Sequence, residues 1–244
     1  MFGWFGNKDK EVDVNFANIG VDMHSHILPG IDDGAQNIEQ SLVLASHFSN
    51  LGFTRLIATP HIMADYYRNT PETIGRALDT LQEALLKNNN TLNVQAAAEY
   101  YVDEAFEKKL AQKELLTFGN NYVLFELSFI NPPQNLVAML YRIQDAGYVP
   151  VMAHPERYSY YGSIENYLQI RDSGCNLQIN TIALTGYYGP EARKMAEELV
   201  DYNAVDFMGS DMHHPKHAAA LKKSLELPRV QKLIADGLLN KSLL

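Results

Sequence analysis

The chain is predicted to be an α/β protein, a seven-stranded β/α barrel occupying one domain. Three observations carry this. Segments of strand and helix character alternate seven times, which argues for parallel strands joined by crossover helices. Six of the seven strands end at a His, Asp or Glu, and in β/α barrels the carboxyl ends of the strands form the active face. The 244 residues suit an α/β barrel as a single domain. A doubly wound sheet is the alternative, but an open sheet would spread those polar ends along a line. Residues 1–19 are read as an extension and residues 20–244 as the barrel.

The first strand runs from Val21 and ends in His24-Ser25-His26. Strand side chains alternate between faces, so the two imidazoles share one. Asp32-Asp33-Gly34 follows on a turn. Asn37–Leu51 has Ile38, Leu42, Ala45 and Phe48 at helical spacing, with Gly52 as a stop. Thr54–Thr59 is a buried-type strand leading to Pro60-His61. Thr70 caps the next helix, Pro71 suits its first position, and the helix reaches Lys87. Leu92–Ala98 is a strand ending at Glu99; Asp103–Gln112 is helical. Tyr122–Phe125 ends at Glu126. Leu136, Leu140 and Ile143 mark a helix stopped by Gly147, and Val149–Ala153 ends at His154. Helix Ile164–Ser173, strand Asn176–Ile179, a helix from Pro190 and strand Val205–Gly209 follow. The last strand leads into Ser210-Asp211-Met212-His213. A final helical region from Lys216 is interrupted at Pro228.

Bulk properties exclude several classes. A net charge of −9 leaves no basic stripe to neutralise nucleic-acid phosphates. One cysteine, Cys175, provides neither a disulfide framework nor a thiolate zinc site, and reads as a small core residue. The residue six after it is Thr181, so the C-x5-R of cysteine phosphatases is absent, as is a phosphate-binding P-loop. No apolar run reaches membrane-spanning length, and the apolar start is too short for a signal peptide, so a cytoplasmic protein is expected. Phe2, Trp4 and Phe5 are read as packing on the domain, with docking to a membrane or partner as the alternative.

The strand ends collect His24, His26, Asp33, His61, Glu99, Glu126, His154, Asp211 and His213. Any one of them alone would read as a satisfied buried polar residue. Together they place four carboxylates at one mouth, which is too repulsive unless cations compensate. Nine N and O donors exceed one ion and suit two or three, with Mn, Fe or Zn matching mixed imidazole and carboxylate ligation. Such a pocket attracts a phosphate dianion despite the acidic chain. Paired tyrosines (Tyr66, Tyr67, Tyr100, Tyr101, Tyr160, Tyr161, Tyr187, Tyr188) sit on strand-end loops. They read as wall packing or as an aromatic rim for a phosphotyrosine ring.

The motifs His24-Ser25-His26, Asp32-Asp33-Gly34, Thr59-Pro60-His61, Ala98-Glu99-Tyr100-Tyr101, Phe125-Glu126, Ala153-His154-Pro155-Glu156-Arg157-Tyr158 and Gly209-Ser210-Asp211-Met212-His213, in this order, closely resemble the PHP (polymerase and histidinol phosphatase) superfamily. Within it they are most similar to bacterial CpsB/CapC-type tyrosine-protein phosphatases of capsule and exopolysaccharide operons. The resemblance implies a distorted (β/α)7 barrel of the PHP type and a trinuclear centre, usually activated by Mn2+. It suggests His24, His26, Glu99 and Asp211 at one ion, Glu99, Glu126 and His154 at a second, and Asp33, His61 and His213 at a third, with Asp32 competing with Asp33. It implies Arg157 as the phosphate-binding arginine, with Lys216, Arg68 and Tyr101 as further substrate-binding candidates. Its implied chemistry is in-line attack by a metal-bridged hydroxide with tyrosine leaving; a metal-bound water or His213 would serve as the acid. The implied partner is a phosphotyrosine protein, a bacterial tyrosine kinase; a homo-oligomer is compatible. A small-molecule phosphoesterase acting on histidinol phosphate or a sugar phosphate is the alternative.

Overall fold

The computed structural model describes residues 15–244, so Phe2, Trp4 and Phe5 lie outside the described residues. The architecture is α/β with two all-parallel sheets. Strands β1 (Val21–Asp22), β2 (Arg55–Ala58) and β4 (Asn93–Ala96) form one. Strands β3 (His61–Ile62), β5 (Glu99–Tyr101), β6 (Tyr122–Glu126), β7 (Val149–Ala153), β8 (Asn176–Asn180) and β9 (Phe207–Gly209) form the other, in that order.

Two of the predicted strands are each followed, after a break, by a further short strand. Pro60 lacks a backbone donor and so interrupts the ladder, which separates β2 from β3 and puts His61 at the start of its own short strand. The partner chain breaks in step at Ala97-Ala98, and Glu99 begins β5. Backbone bonds nevertheless continue across the break, Ala97 N donating to Ala58 O (2.8 Å) and Glu99 N to Pro60 O (3.1 Å). The first strand is also shorter than predicted, ending at Asp22. Beyond it Ser25 bridges Met212 in parallel. His26 N donates to Met212 O (2.9 Å) and Asp211 N to His24 O (2.8 Å).

The helices are α1 (Ile38–Asn50), α2 (Pro71–Lys87), α3 (Glu104–Gln112), α4 (Leu136–Asp145), α5 (Ile164–Asp172), α6 (Pro190–Asp201), α7 (Pro215–Ser224) and α8 (Pro228–Asp236). Their starts follow local chemistry. Asn37 caps α1 by accepting from Gln40 N (3.0 Å). Thr70 and Thr73 cap each other reciprocally at α2, and Asp103 accepts from Phe106 N (2.8 Å). The buried stripe of α2 is Ile74, Ala77, Leu81 and Leu85, a spacing that keeps one face apolar.

Strand alternation divides the interior in two. Val21, Ile57, Leu124, Val151 and Phe207 share a small cluster on one strand face. Leu56, Val123, Phe125, Met152 and Leu177 face the other way, into the large cluster that includes Leu81, Leu140 and Leu199 of the helices. Phe16 and Ile19 are fully buried, and Phe16 stacks on Phe53 at 4.9 Å, so core packing begins ahead of the predicted boundary at residue 20. Cys175 is buried, as expected of a small core residue. Among the described residues, no helix is long and apolar enough to cross a membrane.

Candidate metal centre

All nine predicted strand-end residues converge on one pocket. His24 Nε2 lies 3.2 Å from Glu99 Oε2 and 3.4 Å from Asp211 Oδ1. His26 Nε2 lies 3.3 Å and 3.4 Å from the same two atoms. His154 Nε2 is 3.0 Å from Glu99 Oε1 and 3.9 Å from Glu126 Oε2. His61 uses both ring nitrogens. Its Nδ1 is 3.2 Å from Glu99 and 3.1 Å from Glu126, and its Nε2 is 3.5 Å from Asp33. His213 Nε2 is also 3.5 Å from Asp33. His61 therefore joins the Glu99–Glu126 pair as well as Asp33, and His26 falls within reach of the Asp33, His61 and His213 group. This sharing is wider than in the three sets that the family resemblance implies, where Glu99 alone is common to two.

The backbone is bent to deliver these side chains. His154 and Asp211 both occupy the left-handed region, at φ 34° and 49°. That region is unfavourable for residues other than glycine and marks strain held by the surroundings. Two glycines beside the cluster, Gly34 on the turn and Gly209 at the end of β9, solve contact problems. A Cβ on Gly34 would lie 2.0 Å from His26 O, and one on Gly209 would lie 2.7 Å from the His24 Cβ. Only glycine lets the Asp32-Asp33 turn and β9 close on the histidines.

The two adjacent aspartates have different surroundings. Asp32 is buried; its Oδ2 accepts from His26 Nδ1–H (2.8 Å) and its Oδ1 from Gly34 N (2.9 Å). Asp33 is about half exposed and faces His61 and His213. Sequence reasoning missed the other side chains that orient the imidazoles and carboxylates. Gln178 Oε1 accepts from His24 Nδ1–H at 2.7 Å. Asn180 Nδ2 donates to Asp211 Oδ2 at 2.7 Å. Backbone carbonyl Asp211 O accepts from His213 Nδ1–H and from His217 Nδ1–H (2.9 and 2.8 Å). Asn180 had one signal, its place at the end of the sixth strand; Gln178 had none beyond the strand pattern.

Arg157 reaches the pocket as expected. Its Nη1 is 3.4 Å from Asp211 Oδ2, and its guanidinium lies between the rings of Phe129 (4.3 Å) and Tyr188 (4.5 Å). Three other substrate-binding candidates are not brought there. Arg68 is exposed and turns its Nε back onto Ala64 O (2.7 Å). Lys216 points to solvent from the first turn of α7, and Tyr101 is absent from the lining. The cavity, about 350 Å³, is instead completed by Phe129, Tyr188, His214 and His217. The tyrosine pairs are also divided. Tyr100 is buried, accepting from Leu116 N (2.7 Å), whereas Tyr66 is exposed and Tyr67 stacks on His61 at 5.4 Å.

Electrostatics tie the cluster together. Burial would lower the basicity of His24, but Glu99 and Asp211 outweigh it and carry its pKa up to about 9. Burial likewise opposes the charge of His26, and Asp32 holds it well above the ordinary imidazole range. Burial pushes Glu99 and Asp211 up, yet the facing imidazoles hold both well below the carboxylate range.

The donor set fits divalent cations. Glu99 Oε2 and His61 Nδ1 are buried with no hydrogen-bond partner, which is unusual for buried polar atoms. His24, His26 and His213 give Nδ1–H to an acceptor, which leaves Nε2 as a lone-pair donor facing the cluster. Such outer partners fix tautomer and ring orientation in metal sites.

The family model for capsular polysaccharide synthesis proteins, CpsB/CapC, matches residues 20–235. This chain belongs to the CpsB/CapC family. It is 33% identical over 198 residues to the tyrosine-protein phosphatase YwqE of Bacillus subtilis, covering 80% of this chain and 78% of that protein. It is 27% identical over 243 residues to the tyrosine-protein phosphatase CpsB of Streptococcus pneumoniae, covering 90% of this chain and all of that protein (100%). A crystal structure reported for YwqE and CpsB, described as unique metal-dependent tyrosine phosphatases, superposes with a TM-score of 0.77 at 29% identity, covering 89% of this chain and 95% of the other. The CpsB/CapC match thus covers every motif that carries the metal-centre residues.

Proposed function

We propose that this CpsB/CapC-family chain is a metal-dependent protein-tyrosine phosphatase, working on a phosphotyrosine protein in the cytoplasm. The observation that carries the reading is the convergence of five imidazoles and four carboxylates on one pocket in a chain matched over residues 20–235 by that family. The fold is read as one distorted seven-stranded barrel of the PHP type. Support for it comes from the Ser25–Met212 bridge and from side-chain ties between β1 and β9, where Asp22 accepts from Ser210 N and Oγ (2.7 and 3.0 Å).

His24, His26, Glu99 and Asp211 would hold one cation, Glu99, Glu126 and His154 a second, and Asp33, His61 and His213 a third. Asp33 is preferred to Asp32, because Asp32 is engaged by His26 and Gly34. Mixed imidazole and carboxylate ligation suits manganese, with iron or zinc as competitors. When bound, the cations supply positive charge for the phosphoryl oxygens and acidify water. The chain's own part is positioning. Arg157, clamped between two rings, presents its remaining donors to a phosphate oxygen. Phe129 and Tyr188 flank the entry and contact the aryl ring. A phenol with pKa about 10 leaves with little help from an acid, and His213, which gives Nδ1–H to Asp211 O and turns Nε2 to the cluster, is assigned to the cation rather than to that role. The substrate is inferred to be a bacterial tyrosine kinase governing capsule or exopolysaccharide synthesis.

Turnover of a phosphotyrosine peptide with manganese is expected, with none after chelation or in His154→Ala and Asp211→Ala. Undiminished activity in metal-stripped protein would refute the assignment. Faster turnover of histidinol phosphate than of the peptide would favour the small-molecule alternative.

A further inference from the structure

A second, larger cavity of about 830 Å³ adjoins the metal pocket. The two share Phe129, Arg157 and Tyr188, so the sandwiched guanidinium is the partition between them. One wall is a single face of α6, where Glu191, Met195, Glu198 and Tyr202 recur at helical spacing. The opposite wall is the start of α5, with Ile164 and Glu165. Ile164 and Ala192 are buried in its floor, and Tyr202 stands exposed at its edge.

Two features mark this cleft as more than a packing defect. Glu156, in its lining, is only 3% exposed, and its Oε2 has no hydrogen-bond partner. Its Oε1 is already used by Asn180 N (3.0 Å). The rim is also acidic. Glu165 and Glu191 take part in no ion pair among the described residues, and Lys194, the single lysine present, is committed to Glu198 (3.7 Å).

An aryl phosphate seated beside Arg157 would carry its polypeptide past Phe129 and Tyr188, the rings that this cleft shares with the metal pocket. We propose that the α5–α6 cleft is the docking groove for the substrate chain next to the phosphotyrosine, and that its acidic rim selects a lysine or arginine within a few residues of it. This rests on the phosphatase reading above. The apolar floor takes an adjoining aliphatic or aromatic side chain, and the unpartnered Glu156 oxygen hydrogen-bonds the entering chain. Such a groove acts through association of the peptide, so its effect belongs in KM rather than in kcat.

The test uses the full chain with manganese and three phosphotyrosine peptides that differ only in flanking residues (lysine, alanine or glutamate), beside p-nitrophenyl phosphate. For the unaltered protein, kcat/KM should fall in the order lysine, alanine, glutamate, with the differences in KM. In the Glu191→Lys/Glu198→Lys double variant the order should reverse, with a loss of roughly tenfold for the lysine peptide, as expected when exposed attractions become repulsions. Hydrolysis of p-nitrophenyl phosphate should stay within about twofold of the unaltered protein's, since a group that small needs no groove. The milder Glu191→Gln/Glu198→Gln variant should abolish the preference without reversing it. An unchanged ranking in both variants would overturn the groove. So would an equal loss on every substrate accompanied by a change in light-scattering mass, which would mark the face as a contact between copies. If the unaltered protein hydrolyses no aryl phosphate at all, the phosphatase reading itself fails, a result distinct from hydrolysis without sequence preference.

Discussion

Asp32 and Asp33 show how neighbouring residues of one type acquire different work. Asp32 is turned inward by Gly34 and fixes the tautomer of His26; Asp33 is turned outward to His61 and His213. Asp32→Ala should weaken manganese binding about 10–100-fold, as loss of an outer-shell partner typically does, while keeping the metal count at saturating manganese. Asp33→Ala should lower the count itself. Metal analysis after titration separates the two, and equal counts at saturation would contradict the assignment of Asp33. The protons of the cluster give a second prediction. At neutral pH His24, with a pKa of about 9, and His26, held well above its usual range, are protonated without metal. Cation binding must displace those protons, so affinity should rise with pH up to about 9. Calorimetry in buffers of different ionisation enthalpy should register proton release; a heat independent of the buffer would sink the prediction. The nine converging residues were legible because acids and imidazoles at strand ends are conspicuous. Gln178 and Asn180 were not, since an amide that orients a neighbour has no diagnostic spacing.

At the scale of elements, the strand-to-loop junctions carry the consequences. The predicted strands were found in order because apolar runs and turn residues bound each one. The short strands that resume after two of them, at His61 and at Glu99, were missed, since the second break follows from pairing with the first rather than from local composition. Gly34→Ala would place a methyl 2.0 Å from His26 O, so the turn must shift. We expect a cost of about 1–3 kcal/mol, read as a lower melting temperature together with weakened manganese binding. The short turn Pro155–Arg157 holds Glu156, whose pKa is raised from 4.5 to about 8 because burial disfavours its charge. A group raised on folding favours the folded state fully below its unfolded value, and that contribution is lost as pH climbs through the folded value. The contribution of Glu156 to stability should therefore decline between about pH 4.5 and 8. Glu156→Gln keeps an acceptor for Asn180 N and removes the titration. Its melting temperature relative to the unaltered protein should rise progressively over that window; a constant difference would exclude the carboxyl as the cause.

For the whole molecule, Asn240 is the joint between the first and last strands. Its Nδ2 donates to Val21 O and Met208 O (3.1 and 2.8 Å), and its Oδ1 accepts from Met208 N (3.0 Å), all in a buried setting. Asn240→Leu leaves three backbone groups without partners. At about 1–3 kcal/mol for each buried group left unsatisfied, the variant should lose several kcal/mol in urea unfolding; a loss below about 1 kcal/mol would mean that the strands meet without this residue. Parallel alternation was readable from the sequence, but this joint was not, because an asparagine near the end of a chain looks like any surface turn.

The same meeting of the strands governs when the centre comes into being. His24 and His26 leave the ribosome early, Asp211 and His213 among the last, and none of the intervening segments supplies a substitute for either pair. A nascent or clipped chain that stops before residue 211 has donors but lacks the two that close the cluster, so activity should appear as a step once that stretch is in place rather than grow with length.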